Sequence, residues 1–271
     1  MGLCSLPSFD SKTRPRSSPR FEQIAGTEVF GTARIHAVGG GLLEGALLFR
    51  SRSIHAITAA EAFVISTKFG IRSIYDLRNQ WEIADQGQPY LLGTTTLSLA
   101  PSFEERRKNA RSRLTAGAIG EYGKPEERMT ANYRRYANDY PAIGKALRTM
   151  SLECAPSLIH CVNGKDRTGI LCALIQRIAG CSPDDIMSAY LLENSINKDL
   201  IDFDRELLGQ GMTDREESIL MSFLEARPAY LEAFFNEINS LYGTFDRYVR
   251  EGLRLDAKQV ERIGRLLHRS I

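Results

Sequence analysis

In the 271-residue chain, chemistry is densest at His160-Cys161-Val162-Asn163-Gly164-Lys165-Asp166-Arg167-Thr168, where a cysteine stands six residues ahead of an arginine. Ser157 to His160, behind Pro156, is a short apolar run of the kind that forms a buried strand. Ile170, Leu171, Ala173, Leu174, Ile175 and Ile178 make the stretch from Thr168 apolar almost all round, as in a core helix, which closes at Ala179-Gly180. A tight polar loop between such a strand and such a helix turns the backbone N–H groups of Val162, Asn163, Gly164 and Lys165 inward, at the positive end of the helix. Gly164 removes the side chain that would obstruct the turn. The anion this cradle suits is a phosphate.

The field that holds a phosphate also stabilises a thiolate, so Cys161 reads as a nucleophile. Arg167 brings a planar fork able to hold two phosphate oxygens as they move through a transition state. Thr168 can donate its hydroxyl to the sulfur when sulfur leaves, and Lys165 places a second cation beside the reacting group. His160, next to the nucleophile, reads as a residue that orders the loop by hydrogen bonding. The alternative view of Cys161 as a small buried hydrophobe leaves Lys165-Asp166-Arg167-Thr168 without a reason. A nucleotide-binding loop is excluded because Lys165 is followed by Asp166 and not by Ser or Thr.

His160-Cys161, five further residues and then Arg167-Thr168 resemble the signature of the cysteine-dependent protein tyrosine phosphatase superfamily. The fuller Gly164-Lys165-Asp166-Arg167-Thr168-Gly169 resembles its branch of microbial tyrosine phosphatases that also act on phosphoinositides. Leu48-Phe49-Arg50-Ser51, Gly70-Ile71-Arg72, Asp76-Leu77-Arg78, Tyr242-Gly243 and Tyr248 fall in the order found in that branch, so the likeness spans residues 25 to 270.

The resemblance implies an α/β fold with a central, mainly parallel sheet flanked by helices, and a helical lid over residues 194–226. It also implies hydrolysis of phosphotyrosine or phosphoinositide monoesters, with phosphoserine and phosphothreonine as further substrates, through a phosphocysteine and without a cofactor. It places Arg50 near the active site, where the bare sequence would allow a surface arginine. The Trp-Pro-Asp acid loop of many superfamily members is absent, since Trp81 precedes Glu82. The acid must then come from elsewhere, from Asp166, which resembles the branch's proposed donor and is preferred on that resemblance, or from Asp76. Asn163 and Ala189 depart from the branch, which commonly has Ala and Asp there. The rival class is a phosphate-binding module without catalysis, which intact Cys161, Asp166 and Arg167 argue against.

Around the loop, Thr58 caps a helix through Lys68, and Ile71 to Tyr75 follows as a strand. Alternating helices and strands predict a parallel sheet, which places Asp76 and Arg78 at a strand C-terminus, where α/β proteins bind ligands. Asp76 as a plain turn acid is the other reading. Ala46 to Phe49 and Thr94 to Leu99 read as further strands. Met129 to Tyr140 and Ala142 to Leu152 read as packing helices. Ser182-Pro183 opens another helix, and two helical stretches joined by Gly209 to Gly211 follow. Leu231, Phe234, Phe235, Ile238, Leu241 and Tyr242 form one apolar stripe.

Residues 1–24, rich in Ser, Pro and Arg, read as a disordered tail ahead of a phosphatase domain over 25–271. Residues 101–127 read as a mobile insertion whose basic run leaves open a peripheral contact with an anionic membrane. A charge of +2, from 35 basic against 33 acidic side chains, and the lack of any nucleic-acid module set nucleic-acid partners aside. His36, His55 and His268 lack metal-ligand spacing. Five cysteines without a disulfide framework, one of them a thiolate, fit the reducing cytoplasm. Oligomeric state is not encoded in any of these features.

Overall fold

The computed structural model describes residues 27–30, 33–39, 46–88, 91–100, 119–121, 123–138, 141–153 and 155–268. The expected tail and residues 101–118 of the expected insertion lie outside the described residues.

Six strands, β1 (Thr27–Phe30), β2 (Ala33–Ala37), β3 (Leu48–Ser51), β4 (Ser73–Asp76), β5 (Thr95–Ser98) and β6 (Ser157–His160), form one sheet in the order β1-β2-β3-β6-β4-β5. From β3 to β5 all neighbours run parallel, whereas β1 pairs antiparallel with β2 and β2 with β3. The α/β expectation holds, with an antiparallel edge. The strand that delivers Cys161 is internal and buried along its length. Its side chains alternate as a pleat requires: Leu158 joins Phe49 and Ile74 on one face, and Ile159 joins Tyr75 on the other. Each such fully buried side chain contributes roughly 1.5–3 kcal/mol.

The first face is covered by α1 (Ala59–Lys68), through Ala62 and Ile65. Thr58 and Glu61 form a reciprocal capping box at its start, which fixes where the chain leaves the strand layer. The second face carries α3 (Glu127–Asn138), α4 (Pro141–Met150), α5 (Asp166–Ile178), α6 (Pro183–Ile196), α9 (Pro228–Tyr242) and α11 (Ala257–His268). A short helix, α10 (Phe245–Arg247), and a π turn lie between the last two. Among them α5 is buried from Thr168 to Gln176, as its unbroken apolar character predicts. Helices α7 (Lys198–Leu208) and α8 (Asp214–Leu224) build a satellite core instead: Ile219 and Leu220 pack with Ile119, the buried residue of a short 3-10 turn over Ile119–Glu121. Among the described residues no helix is long and apolar enough to cross a membrane.

The structure shifts several expected boundaries. Strand β3 runs two residues further than the apolar run suggests, because Arg50 and Ser51 pair with Ile159 and His160 of β6. Helix α5 starts at Asp166, so Asp166 and Arg167 belong to its first turn. Helix α2 (Gln80–Gln86) was not anticipated; it buries only Glu82 and carries no apolar stripe to reveal it. Leu241, expected in the core, is 45% exposed near the end of α9.

Candidate active site

Register places the site. Ser51 of β3, His160 of β6 and Asp76 of β4 lie in one row at the C-terminal edge of the parallel strands, and the 161–165 loop leaves from that row. Gly164 adopts φ +70°, and a Cβ there would lie 2.7 Å from the Ser51 carbonyl oxygen, so both conformation and contact require glycine. The loop's carbonyls are drawn outward: the Ser53 amide donates to the Val162 oxygen at 3.0 Å, and Arg50 donates to the Gly164 oxygen at 2.7 Å. A trans peptide points its N–H opposite its C=O. The amides of Asn163 and Lys165 therefore face into the cradle. Among the described residues no backbone amide from Val162 to Arg167 donates a hydrogen bond. Cys161, buried at 2% exposure, sits at the start of this ring of free donors.

Side chains complete the ring. Arg167 projects its fork onto Glu82 of α2, Nη1 donating to Oε2 at 2.5 Å and Nη2 to Oε1 at 2.9 Å, and Nη1 also donates to the Leu77 carbonyl at 3.0 Å. Burial disfavours the Arg167 charge, but Glu82 and then Cys161 more than offset it, so the guanidinium is held firmly protonated. Asp166 accepts from the Tyr133 hydroxyl at 2.8 Å and lies 3.5 Å from the Lys165 ammonium. Lys165 turns away from the cradle to the end of α8, donating to the carbonyls of Phe223 (2.6 Å) and Glu225 (3.0 Å). Burial lowers its pKa, which Asp166 only partly restores. The Thr168 hydroxyl is buried and makes no hydrogen bond among the described residues.

Beneath the loop lie two buried charge clusters. Arg50 forms an ion pair with Glu193 of α6 at 3.3 Å, and the same carboxylate oxygen meets His36 at 2.8 Å. Burial would raise the Glu193 carboxyl, but Arg50 and His36 hold it below the usual range. Asp76 and Arg78, both fully buried, face each other at 2.7 Å, and Arg78 also donates to the Gly87 carbonyl. Burial opposes ionisation of Asp76, yet His160 and Arg78 outweigh it and keep the carboxylate charged. His160 stands 3.8 Å from Asp76, and burial pushes its pKa below the ordinary value although Asp76 partly opposes this. Of the residues singled out in the sequence, the structure gathers Cys161, Val162, Asn163, Gly164, Lys165, Asp166, Arg167 and Thr168 in the loop and first helical turn. Arg50 clasps the loop from behind, and Asp76, Arg78 and His160 lie below it. Asn163 accepts from Arg52 at 3.2 Å and lines a small polar cleft with Ile201 of α7 and Leu224 of α8.

The sequence reading did not place Glu82, Glu193, His36, Tyr133 or Tyr190 at the site. Asn79-Gln80-Trp81-Glu82 has the spacing of a capping box. The structure forms only the Glu82 half, the Asn79 amide donating to Oε2 at 2.7 Å while the Asn79 side-chain oxygen has no partner among the described residues; that signal could have placed α2, although not the arginine Glu82 would hold. Tyr133 and Tyr190 sit among apolar neighbours and look like core in any periodicity analysis.

A parallel sheet that ends in an amide-lined loop, with a cysteine at its mouth and an arginine in the following helical turn, defines an α/β protein with an anion-binding cradle. The model of the tyrosine phosphatase family matches residues 32–269, and the chain belongs to that family of phosphoric monoester hydrolases. Triple specificity protein phosphatase PtpB of Mycobacterium tuberculosis is 27% identical over 234 residues, covering 75% of this chain and 84% of its own. A Cupriavidus necator protein, assigned by name as a tyrosine-protein phosphatase, is 34% identical over 107 residues, 38% of this chain; the match spans only 37% of that relative.

Proposed function

We propose that the protein hydrolyses phosphotyrosine and phosphoinositide monoesters through a phosphocysteine at Cys161. The observation that carries this reading is the ring of unbonded amides from Val162 to Arg167 around a buried cysteine. Cys161 attacks phosphorus in line and the P–O bond to the leaving group breaks. Asp166 protonates the departing oxygen, and water then cleaves the S–P bond to release phosphate. Loop amides and Arg167 balance the charge on the equatorial oxygens throughout. Asp166 is preferred to Asp76 as the acid because Asp76 is ionised, fully buried and bonded through both oxygens to Arg78. A buried donor without a partner costs about 1–3 kcal/mol, and a Thr168 hydroxyl held for the leaving sulfur accounts for that cost. The name of the Mycobacterium relative, a triple specificity phosphatase, supports a site open to more than one phosphoester class. The work would take place in a reducing compartment, the cytoplasm, where a thiolate survives.

Cys161→Ser tests the reading. Turnover of aryl phosphate should fall by at least about a thousandfold, while vanadate-sensitive binding of phosphorylated ligand persists because the cradle is intact. Residual activity within tenfold of wild type would refute the covalent route.

A further inference from the structure

Asp166 is held at one oxygen only. The Tyr133 hydroxyl donates to Oδ1 at 2.8 Å, and Lys165, at 3.5 Å, approaches the same oxygen. Oδ2 makes no hydrogen bond among the described residues, and the side chain keeps 22% exposure. The Tyr133 hydroxyl lies 2.7 Å from that of Tyr190. A phenol has one proton to donate. With that of Tyr133 given to the carboxylate, Tyr190 must donate to Tyr133, which forms a directed chain from Tyr190 through Tyr133 to Oδ1. Chains of this kind strengthen each link by polarising the next.

Three elements meet here. Tyr133 comes from α3, Tyr190 from α6 and Asp166 from the first turn of α5. The Tyr133 ring packs against Tyr190 and Tyr230 at centroid distances of 6.3 Å and 5.6 Å, and neither Tyr133 nor Tyr190 is more than 2% exposed. Their hydroxyls cannot swing away without disturbing the core. Burial, and then the negative charge of Asp166, pushes both phenols well above their ordinary range, so both remain O–H donors across the working pH range.

We propose that Tyr133, backed by Tyr190, is a positioning residue that fixes Asp166 through Oδ1 and so directs the transferable proton onto Oδ2, facing the leaving group. The inference rests on the reading of Asp166 as general acid. A carboxylic acid carries its proton on one oxygen; an oxygen already accepting from a phenol is the poorer place for it. When the P–O bond breaks, that Oδ2 proton passes to the departing oxygen, and the Tyr133 hydrogen bond then supports the carboxylate left behind.

The test compares kcat and KM for phenyl phosphate, a poor leaving group, and dinitrophenyl phosphate, a good one. Tyr133→Phe keeps the ring and removes only the donor. Its kcat/KM for phenyl phosphate should fall about tenfold, as loss of one hydrogen bond to a charged group implies, with the dinitrophenyl ester within about twofold. The loss should lie in kcat. Tyr190→Phe should show the same pattern more weakly, and it carries the test if Tyr133→Phe does not fold. Asp166→Asn should show the pattern more strongly, and adding Tyr133→Phe to it should cost nothing further, because the two act as one unit. If Asp166→Asn slows both esters alike, the general-acid reading falls and this inference with it. If Asp166→Asn shows the pattern but Tyr133→Phe lowers both esters equally, or neither, the acid assignment stands and the positioning role is wrong.

Discussion

Below the 161–167 loop, charge is buried; beside it, most ion pairs are exposed, Asp199 of α7 with the buried Arg34 being the exception among the described residues. The floor holds Asp76 with Arg78, both fully buried, and Arg50 with Glu193, at 3% and 2% side-chain exposure. The flank formed by α7 and α8 carries Lys198 with Asp202 and Arg205 with Glu217, pairs that are between 36% and 71% exposed. Its apolar contacts belong mostly to a separate small cluster, which Phe223 of α8 joins to the main core. Between the two, Lys165 reaches from the loop to the carbonyls that end α8, and Asn194 of α6 exchanges two hydrogen bonds with the Ala226 backbone. Buried pairs break expensively because the surviving charge has no water to return to, whereas exposed pairs break at little cost. The difference teaches that loop geometry is set from below, and that α7 and α8 are attached to it through a few directional bonds.

The largest effect should follow from emptying one half of the floor. Arg78→Met strands the Asp76 carboxylate in the core and should destabilise the fold by about 3–5 kcal/mol, read as a lower urea midpoint. Adding Asp76→Asn should recover much of that loss. No recovery would mean that Arg78 acts through packing and its bond to Gly87, and the electrostatic account of the floor would fail.

A smaller effect should appear on acidification. His160 is depressed in the folded protein, so below its unfolded value of about 6.5 the unfolded chain binds the proton first, and stability present above that pH declines as pH falls. The slope from this one group cannot exceed about 1.4 kcal/mol per pH unit. Asp76, also depressed, adds its own loss only further down, below about pH 4. His160→Asn should flatten the upper part of this profile, followed by urea unfolding at stepped pH. An unchanged slope would remove His160 from the cause.

The smallest effect belongs to the flank. Arg205→Ala should change stability by no more than about 0.5 kcal/mol, since the ion pair it removes is solvated. A shift as large as that of Arg78→Met would erase the contrast between the two regions.

Local stretches were readable in advance. Thr58 signals α1, Ser182-Pro183 signals α6, and the apolar run after Thr168 signals a core helix; each depends on residues a few positions apart. Strand ends were less readable, because Arg50 and Ser51 are polar and join β3 only through their partners in β6. Lys165 shows the same limit at the site. Its position in the sequence suggests a second phosphate anchor, yet its ammonium is held by carbonyls 58 and 60 residues away.

From sequence alone come the proposed nucleophile, the arginine, the glycine turn and the helix that ends the loop, because these lie within one strand-loop-helix unit whose geometry is fixed by covalent neighbours. Tertiary structure alone decided which groups hold them. Glu82 meets Arg167 across 85 residues, Arg50 meets the Gly164 carbonyl across 114, and Tyr133 meets Asp166 across 33. Such partners depend on sheet register and on how helices pack over it, and a carboxylate or phenol carries no mark in the sequence of the charge it will face. That is why Cys161 and Asp166 could be proposed as nucleophile and acid from nine residues, while Tyr133 and Glu82, which hold Asp166 and Arg167, required the fold.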